Sequence, residues 1–166
     1  MEHSVWKKVG KFLIEWGKPV ICGLFLAFVC SQFFRIAVVE GNSMEPTLQD
    51  GQVLLLQTGF LREENLNRGD IVVASKKIPK KTQIIKRVIG LPGEHLEILD
   101  NEVYINGEKL IENYLDEPMK TENLDIYIPE GKLFVMGDHR NVSADSRMES
   151  VGLIDVKTEL TGKHIF

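Results

Sequence analysis

The sequence predicts a mostly β protein, in which one N-terminal transmembrane helix precedes an antiparallel β domain with a smaller inserted β lobe. Three observations predict this fold class. A long apolar run lies near the N-terminus, short strand-like runs separated by turn signals fill the rest of the chain, and helix-length periodicity is scarce there. The 166 residues are enough for one domain of ordinary size plus an attachment.

The apolar run PVICGLFLAFVCSQFFRIAVV spans residues 19–39. As a helix it would be about 31 Å long, close to the hydrocarbon thickness of a bilayer. Arg35 is its one charge and lies near its end, where the side chain can reach the interface. Several basic and aromatic side chains precede the run: Trp6, Lys7, Lys8, Lys11, Trp16 and Lys18. The positive-inside rule therefore predicts that residues 1–18 are cytoplasmic and that residues 40–166 form an extracytoplasmic domain.

Two other interpretations of the apolar run are weaker. A cleaved signal peptide would have a shorter apolar part and a small-x-small cleavage site after it, and the sequence has neither. A buried core helix is the second, but the run is apolar on all sides, which favours a membrane span. The sequence thus predicts a single uncleaved membrane anchor over residues 19–39.

Charge is distributed unevenly along the chain. Residues 1–38 hold five basic and two acidic side chains of the totals of 20 and 24, which leaves 15 basic and 22 acidic residues downstream. An acidic body argues against a nucleic-acid partner, because phosphate binding needs a basic face. The two cysteines, Cys22 and Cys30, lie inside the apolar run, so the body cannot form an internal disulfide, and neither has a metal-ligand spacing.

The body contains a series of alternating or apolar runs that read as strands. They cover residues 52–57, 70–75, 82–90, 95–99, 102–107 and 132–137. Turn signals at LDNE and at Asn106-Gly107 indicate hairpins, and only residues 59–69 have room for a helical turn or two. The hairpin after residue 94 and the acidic stretch that follows it suggest that residues 94–128 form a smaller lobe inserted between two core strands.

Ser43 is a candidate nucleophile, since it lies among turn-forming residues directly after the apolar run. A serine hydroxyl is weak alone and needs a base. Lys86 is a candidate for that base, because Ile84 and Val88 flank it on its own strand face and desolvation lowers the pKa of an ammonium. The alternative, a lysine that extends out of a strand into solvent, is equally compatible with the spacing.

A third informative stretch, MGDHRNVSADSR, covers residues 136–147. It places two Asp, two Arg, two Ser and one His around a turn after a strand. The structural interpretation is a polar loop held by Asp–Arg pairs, and the functional one is that these pairs fix the geometry around the Lys86 amine. His139 permits a rival mechanism, in which Ser43, His139 and an Asp form a triad.

Four stretches, in order after one N-terminal span, resemble the sequence boxes of bacterial type I signal peptidases: GNSMEPTL, RGDIVV, KRVIGLPGE and GDHRNVSADSR. The resemblance covers nearly the whole chain. It implies a Ser/Lys dyad, with Ser43 as the nucleophile and Lys86 as the general base. It further implies that Ser143 orients the Lys86 amine, that Asp145 and Arg147 form a supporting ion pair, and that the fold is an extracytoplasmic, mostly β domain with a smaller inserted lobe.

The sequence departs from the family pattern at three positions near the site. His139 stands where the family usually carries Asn, and Val142 stands where a polar residue is common. Gly41 stands where some members have a serine that donates to the oxyanion, so this position supplies no side-chain donor. The backbone N–H of Ser43 remains as the expected oxyanion donor.

The function expected from the resemblance is that of a single-pass serine endopeptidase in the cell membrane, which removes the N-terminal signal peptides of exported preproteins. Its partners would be those signal peptides and the lipid bilayer, and the mechanism requires no metal or cofactor. Residues 35–41 and 82–85 are candidates to hold the substrate as an added strand. Small apolar pockets would then accept Ala-sized side chains at the first and third positions before the scissile bond.

Three alternatives remain open from the sequence. A signal peptidase specialised for one client, such as a pilin, is compatible with the departures after residue 138. A non-catalytic, membrane-tethered β module would keep the strands without needing Lys86. A self-cleaving cytosolic Ser/Lys protein would share the chemistry but would lack the anchor.

Overall fold

The structure, a computed structural model, describes residues 2–59, 61–78 and 80–165, and among these the side chains of residues 2–15, 78, 80 and 81 lie outside the description. The predicted interfacial roles of Trp6 and of the basic residues Lys7, Lys8 and Lys11 therefore fall outside the described side chains. One long helix, α1 (Glu2–Phe33), begins the chain, and the rest of the described chain is β structure with turns and one short 3-10 helix, Glu63–Asn65.

The apolar part of α1 is long and apolar enough, by length and composition, to cross a membrane over Trp16–Phe33. None of this window is buried against the rest of the protein. Leu24 and Phe25, for example, are each 67% exposed. A helix that exposes its large apolar side chains in this way has no protein core to bury them, which agrees with the predicted anchor.

The predicted end of the helix at Val39 is wrong. The helix ends at Phe33, and residues 34–38 form a strand, β1, that pairs antiparallel with β2 (Val53–Gln57) and places Ile36 opposite Leu55. The physical reason is that β-branched Ile36 and Val38 favour a pleated strand, and that β2 supplies hydrogen-bond partners for their backbone. Hydrophobicity alone does not distinguish a helix from the strand that continues it.

Eleven strands follow α1 in the described chain: β1 (Phe34–Val38), β2 (Val53–Gln57), β3 (Ile71–Ile78), β4 (Lys80–Gly90), β5 (His95–Leu99), β6 (Glu102–Ile105), β7 (Glu108–Lys109), β8 (Leu124–Tyr127), β9 (Lys132–Met136), β10 (Ile154–Asp155) and β11 (Leu160–His164). They form a seven-stranded sheet in the order β1-β2-β11-β3-β4-β9-β10 and a four-stranded sheet in the order β7-β6-β5-β8. Every pairing is antiparallel.

The predicted antiparallel β class is confirmed, and each of the six predicted strand regions contains a strand. The sequence analysis did not predict the other five strands, β1, β7, β8, β10 and β11. Of these, β7, β8, β10 and β11 are short or polar. The four strands of the smaller sheet lie between β4 and β9 in the chain, within the range 94–128.

Two of the hydrophobic clusters position the functional region. In one, Val39, Met44 and Leu48 pack with residues of β2 and β3, so the turn that carries Ser43 is anchored on both sides. In the other, Ile89 and Phe134 of the large sheet pack with residues of the small sheet such as Leu96. Full burial of each such side chain contributes about 1.5–3 kcal/mol, so the turn and the small sheet are both firmly attached to the large sheet.

Candidate active site

Ser43 lies in the turn that leads from β1 to β2. The backbone at Gly41 has φ +87°, a conformation that favours glycine, and its N–H donates to Oδ1 of Asp50 over 2.7 Å. Met44, directly after Ser43, is only 1% exposed and anchors the turn in the core. Ser43 itself is half-buried, so the turn holds its hydroxyl at a fixed place that a substrate can still reach.

Lys86 reaches Ser43 from the neighbouring part of the large sheet. It lies in β4, its side chain is buried with 4% exposure, and its Nζ is 2.7 Å from the Oγ of Ser43. The amine also donates to the carbonyl of Ile85 over 3.0 Å. A serine and a lysine that are 43 residues apart in the chain are thus in direct hydrogen-bond contact.

The burial of Lys86 changes its acid–base properties. Burial lowers the pKa of its ammonium to about 8, and the nearby Arg147 acts in the same direction, while Asp145 and Asp138 oppose the shift. At pH 7 roughly one molecule in ten would then carry the neutral amine, against about one in three thousand at the ordinary value. The amine can therefore accept a proton from the Ser43 hydroxyl at a pH near neutrality.

The loop of residues 137–147 packs directly against the turn that carries Ser43. A Cβ on Gly137 would lie 2.3 Å from the Ser143 hydroxyl oxygen and 2.4 Å from the Ser43 carbonyl oxygen, so only glycine fits between them. Ser143 is buried, and its hydroxyl has no hydrogen-bond partner among the described residues. No hydrogen bond joins Ser143 to Lys86 in the described part of the chain, so the predicted orienting contact stays a prediction.

Asp145 and Arg147 form a two-pronged ion pair behind the dyad. The Nε of Arg147 lies 2.8 Å from Oδ1 of Asp145, and one terminal nitrogen lies 2.8 Å from Oδ2. Asp145 is fully buried and also accepts the backbone N–H of Gly137 over 3.0 Å. Arg147 donates in addition to the carbonyl of Arg140 over 2.6 Å. The pair therefore ties together the two ends of the loop 137–147.

His139 contacts the backbone around Ser43 rather than its hydroxyl. The backbone N–H of His139 donates to the carbonyl of Ser43 over 3.2 Å. The ring Nδ1 lies 3.2 Å from the carbonyl oxygen of Asn42. Its Nε2 lies 3.5 Å from a carboxylate oxygen of Glu117. Among the described residues, the hydrogen-bond partner of the Ser43 hydroxyl is Lys86 and not His139, so the geometry does not support a Ser-His-Asp triad.

Sequence analysis missed a second set of charged residues next to the dyad. Arg87 makes two hydrogen bonds to Asp138, of 2.8 and 2.5 Å, and its guanidinium lies 4.1 Å from the ring centre of Tyr114. Arg140 is buried and pairs with Glu112. Arg87 and Asp138 were detectable, because they lie beside Lys86 and inside the stretch 136–147. Glu112 and Tyr114 come from the acidic stretch after the hairpin, and no sequence signal connects them to the site.

A groove of about 400 Å³ passes Ser43 between residues 37–40 and 82–86. In the described chain, β9 pairs with β4 only from Arg87 to Gly90, so residues 83–86 have one sheet edge without a neighbouring strand. An open strand edge beside a Ser/Lys pair is suited to an extended peptide, which could add its backbone to the edge and present one bond to Ser43.

Comparisons with known proteins agree with this geometry. A family model described as signal peptidase, peptidase S26, matches residues 13–166. The signal peptidase I of Bacillus licheniformis is 40% identical over 167 residues, which cover 94% of this chain and 88% of the relative. Signal peptidase IB of Staphylococcus aureus strain Mu50 is 32% identical over 175 residues, covering 94% and 89%. A crystal structure of a signal peptidase I from Enterococcus faecalis V583 superposes with a TM-score of 0.50 and 33% identity, covering 59% of this chain and 95% of that one.

Proposed function

The chain belongs to the signal peptidase family, peptidase S26, and we propose that Ser43 is its nucleophile and Lys86 its general base. It is a serine endopeptidase that removes signal peptides, so the alternative of a non-catalytic β module does not apply. The observation that carries the residue assignment is the 2.7 Å contact between the buried Lys86 amine and the Ser43 hydroxyl.

The proposed reaction has two halves. The neutral Lys86 amine takes the proton of the Ser43 hydroxyl as the oxygen attacks the scissile carbonyl carbon, and Lys86 then gives that proton to the departing amine of the mature protein. The signal peptide stays esterified to Ser43. Lys86 next takes a proton from a water molecule that attacks the ester, and the signal peptide leaves as a carboxylate while Ser43 regains its proton.

The backbone N–H of Ser43 is the proposed oxyanion donor. Gly41 has no side chain to donate, and among the described residues no acceptor is hydrogen-bonded to the Ser43 N–H. That N–H is therefore available to the oxygen that becomes negative during attack. In other enzymes the loss of one such donor costs about 3 kcal/mol of transition-state stabilisation.

The groove beside Ser43 is the proposed binding site for the signal peptide. The free edge of β4 at residues 83–86 offers backbone hydrogen bonds, and residues 37–40 line the opposite wall. Ala37 and Ile85 are only partly buried there and pack on the cluster beneath Ser43. We expect the pockets between these walls to accept Ala-sized side chains at the first and third positions before the scissile bond.

We further propose that the domain rests on a lipid bilayer, with α1 crossing it once and the N-terminus in the cytoplasm. One face of the β1–β2 hairpin exposes apolar side chains directly beyond the helix end: Phe34, Ile36, Val38, Val53 and Leu55. Ile36 is 75% exposed there. An apolar face that continues a membrane-type helix is suited to contact lipid, and it would hold Ser43 close to the bilayer surface, where a signal peptide emerges.

The assignment of Ser43 is tested by preprotein processing with the full-length protein in detergent or vesicles. We expect Ser43→Ala to bind a preprotein but to release no mature protein, because the variant lacks the hydroxyl that Lys86 contacts. Processing by Ser43→Ala at a rate similar to the wild type would overturn the assignment.

The topology has a separate test. A reporter fused after Phe166 should be active outside the cytoplasm, and protease added to spheroplasts should digest the domain but not the N-terminal residues. A reporter that is active only in the cytoplasm would contradict the proposed orientation.

A further inference from the structure

A segment of the inserted region, residues 112–117, lies between β7 and β8 and reaches back to the large sheet. Glu112 contacts Arg140, Tyr114 contacts Arg87, and Glu117 lies near His139. All three partners belong to β4 or to the loop 137–147, the two elements that hold the dyad and its surroundings.

The contact between Glu112 and Arg140 is almost completely buried. The Arg140 side chain is 0% exposed and that of Glu112 is 9% exposed, and two hydrogen bonds join them. Arg140 also donates from its Nε to the carbonyl of Gly137 over 3.2 Å, and its own carbonyl accepts Arg147. Glu112 therefore neutralises the arginine that links both halves of the loop 137–147.

Tyr114 connects Glu112 with Arg87, the residue directly after Lys86. Its hydroxyl donates to Glu112 over 2.5 Å, and its ring lies 4.1 Å from the Arg87 guanidinium, within cation–π distance. Burial and the contact with Glu112 raise the pKa of Tyr114, so the phenol remains a donor. Arg87 in turn holds Asp138 with two hydrogen bonds.

From these contacts we propose that Glu112 and Tyr114 are positioning residues for the Ser43–Lys86 pair. The inserted region thereby takes part in catalysis without touching the substrate, since neither side chain lines the groove beside Ser43. The inference rests on the proposed dyad and extends it to a third part of the chain.

The tight packing at Gly137 explains how a distant contact affects the dyad. The Ser143 hydroxyl and the Ser43 carbonyl already lie too close to Gly137 to admit a Cβ. When Glu112 no longer holds Arg140, the loop 137–147 is free to shift. Because of the packing at Gly137, such a shift also moves the turn that carries Ser43. Misplacement of reacting groups by about 1 Å costs about 10²-fold in rate, so a partial shift should be measurable.

The test compares Glu112→Gln and Tyr114→Phe with the wild type in preprotein cleavage across a range of pH, together with thermal unfolding. We expect Glu112→Gln to lower kcat about tenfold with KM changed less than twofold, because the groove is intact. It should also move the acid limb of kcat/KM to lower pH by about half a unit. The reason is that Asp138 and Asp145 raise the pKa of Lys86, and a displaced loop 137–147 carries both carboxylates away from the amine. Tyr114→Phe keeps the ring on Arg87 and should lower kcat about threefold.

The same region offers matched controls. Tyr104 and Glu102 form a more exposed pair of the same two residue types, with the Tyr104 hydroxyl 3.5 Å from a Glu102 carboxylate oxygen. Glu102→Gln and Tyr104→Phe should therefore leave kcat, KM and the pH profile unchanged. Lys86→Ala serves as the inactive reference.

The outcomes separate this inference from the proposed function. An inactive Lys86→Ala beside Glu112→Gln and Tyr114→Phe variants with wild-type kcat and pH profile would overturn the positioning role alone. The positioning role would also be overturned if both variants unfolded at a lower temperature but kept the kcat and pH profile of the wild type. An active Lys86→Ala would overturn the dyad itself. Should Glu112→Gln fail to fold, Tyr114→Phe decides, through the presence or absence of its threefold loss.

Discussion

Two lysines on strands of this protein, one beside the groove and one on the outer hairpin of the small sheet, behave in opposite ways. Lys86 is buried, touches a serine hydroxyl, and has its pKa lowered to about 8 by burial. Lys109 has a side chain that is 53% exposed and lies 2.6 Å from Glu102, and that hydrogen bond raises its pKa. A lysine becomes a base where burial is not balanced by a carboxylate in direct contact.

The same contrast holds for ion pairs. Asp145 is fully buried, and Arg147 has a side chain that is 11% exposed, whereas both members of the Lys109–Glu102 pair are about half exposed. Removing one partner of a buried pair leaves a charge without compensation, but removing one partner of an exposed pair leaves a charge that water solvates. The two regions should therefore respond very differently to the same kind of substitution.

The largest expected difference is in activity. Lys86→Ala should reduce kcat for preprotein cleavage by about 10³-fold or more, since the reaction loses its base. Lys109→Ala should cleave at the wild-type rate, because Lys109 pairs with Glu102 and does not line the groove. Both variants are measured in the same assay. Substantial turnover by Lys86→Ala would mean that another group accepts the Ser43 proton.

The next difference is in stability. Asp145→Asn should lower the free energy of unfolding by about 3–5 kcal/mol, because it leaves the Arg147 guanidinium without its buried carboxylate. Glu102→Gln, the matched change in the exposed pair, should leave it nearly unchanged. Denaturant unfolding of both variants gives the two values, and equal values would show that burial does not distinguish the two pairs.

Lys86 itself should reduce stability at neutral pH. Its pKa is about 8 in the folded protein against an ordinary 10.5, so the folded state binds this proton less well than the unfolded chain does. The cost is complete below pH 8 and disappears above about pH 10.5, and at most it is about 3 kcal/mol. Replacing the side chain by Met removes this cost but also loses the contacts with Ser43 and Ile85.

We therefore expect Lys86→Met to be inactive and to unfold at the same or a higher temperature than the wild type at pH 7. The wild type should gain stability between pH 8 and 10 relative to this variant, because deprotonation relieves the buried charge. Thermal unfolding of both proteins at pH 7 and pH 10 measures the difference. A variant that no longer folds would make Lys86 a structural residue.

A structural feature can be predicted from the sequence when the residues that determine it lie close together in the chain. The strand β5 was predicted with its exact bounds because alternation is local, and Ser43 and Lys86 were found because each has distinctive neighbours. The end of α1 was not predicted, because residues 34–38 are as apolar as the helix before them. Pairing with β2, some 20 residues later, converts them into a strand.

Contacts between distant parts of the chain were the least predictable. Glu112 and Tyr114 lie in an acidic stretch that has no motif, and their partners, Arg140 and Arg87, are 28 and 27 residues away. Their pairing depends on how the small sheet packs on the large one through Ile89 and Phe134. Side-chain partners that depend on such packing become visible only in three dimensions.

The smallest expected effect concerns His139, which lies beside Ser43 without contacting its hydroxyl. An Asn amide can still donate to the Asn42 carbonyl, and the backbone N–H that contacts the Ser43 carbonyl is unchanged. His139→Asn should therefore keep kcat/KM within about threefold of the wild type, far less than the loss of a general base would cause. The acid limb of kcat/KM should stay near pH 8 in both proteins, because it reports the deprotonation of Lys86. The full pH profiles of both proteins test this. An acid limb near pH 6.5 in the wild type that is lost in His139→Asn would instead identify an imidazole as the base and restore the triad.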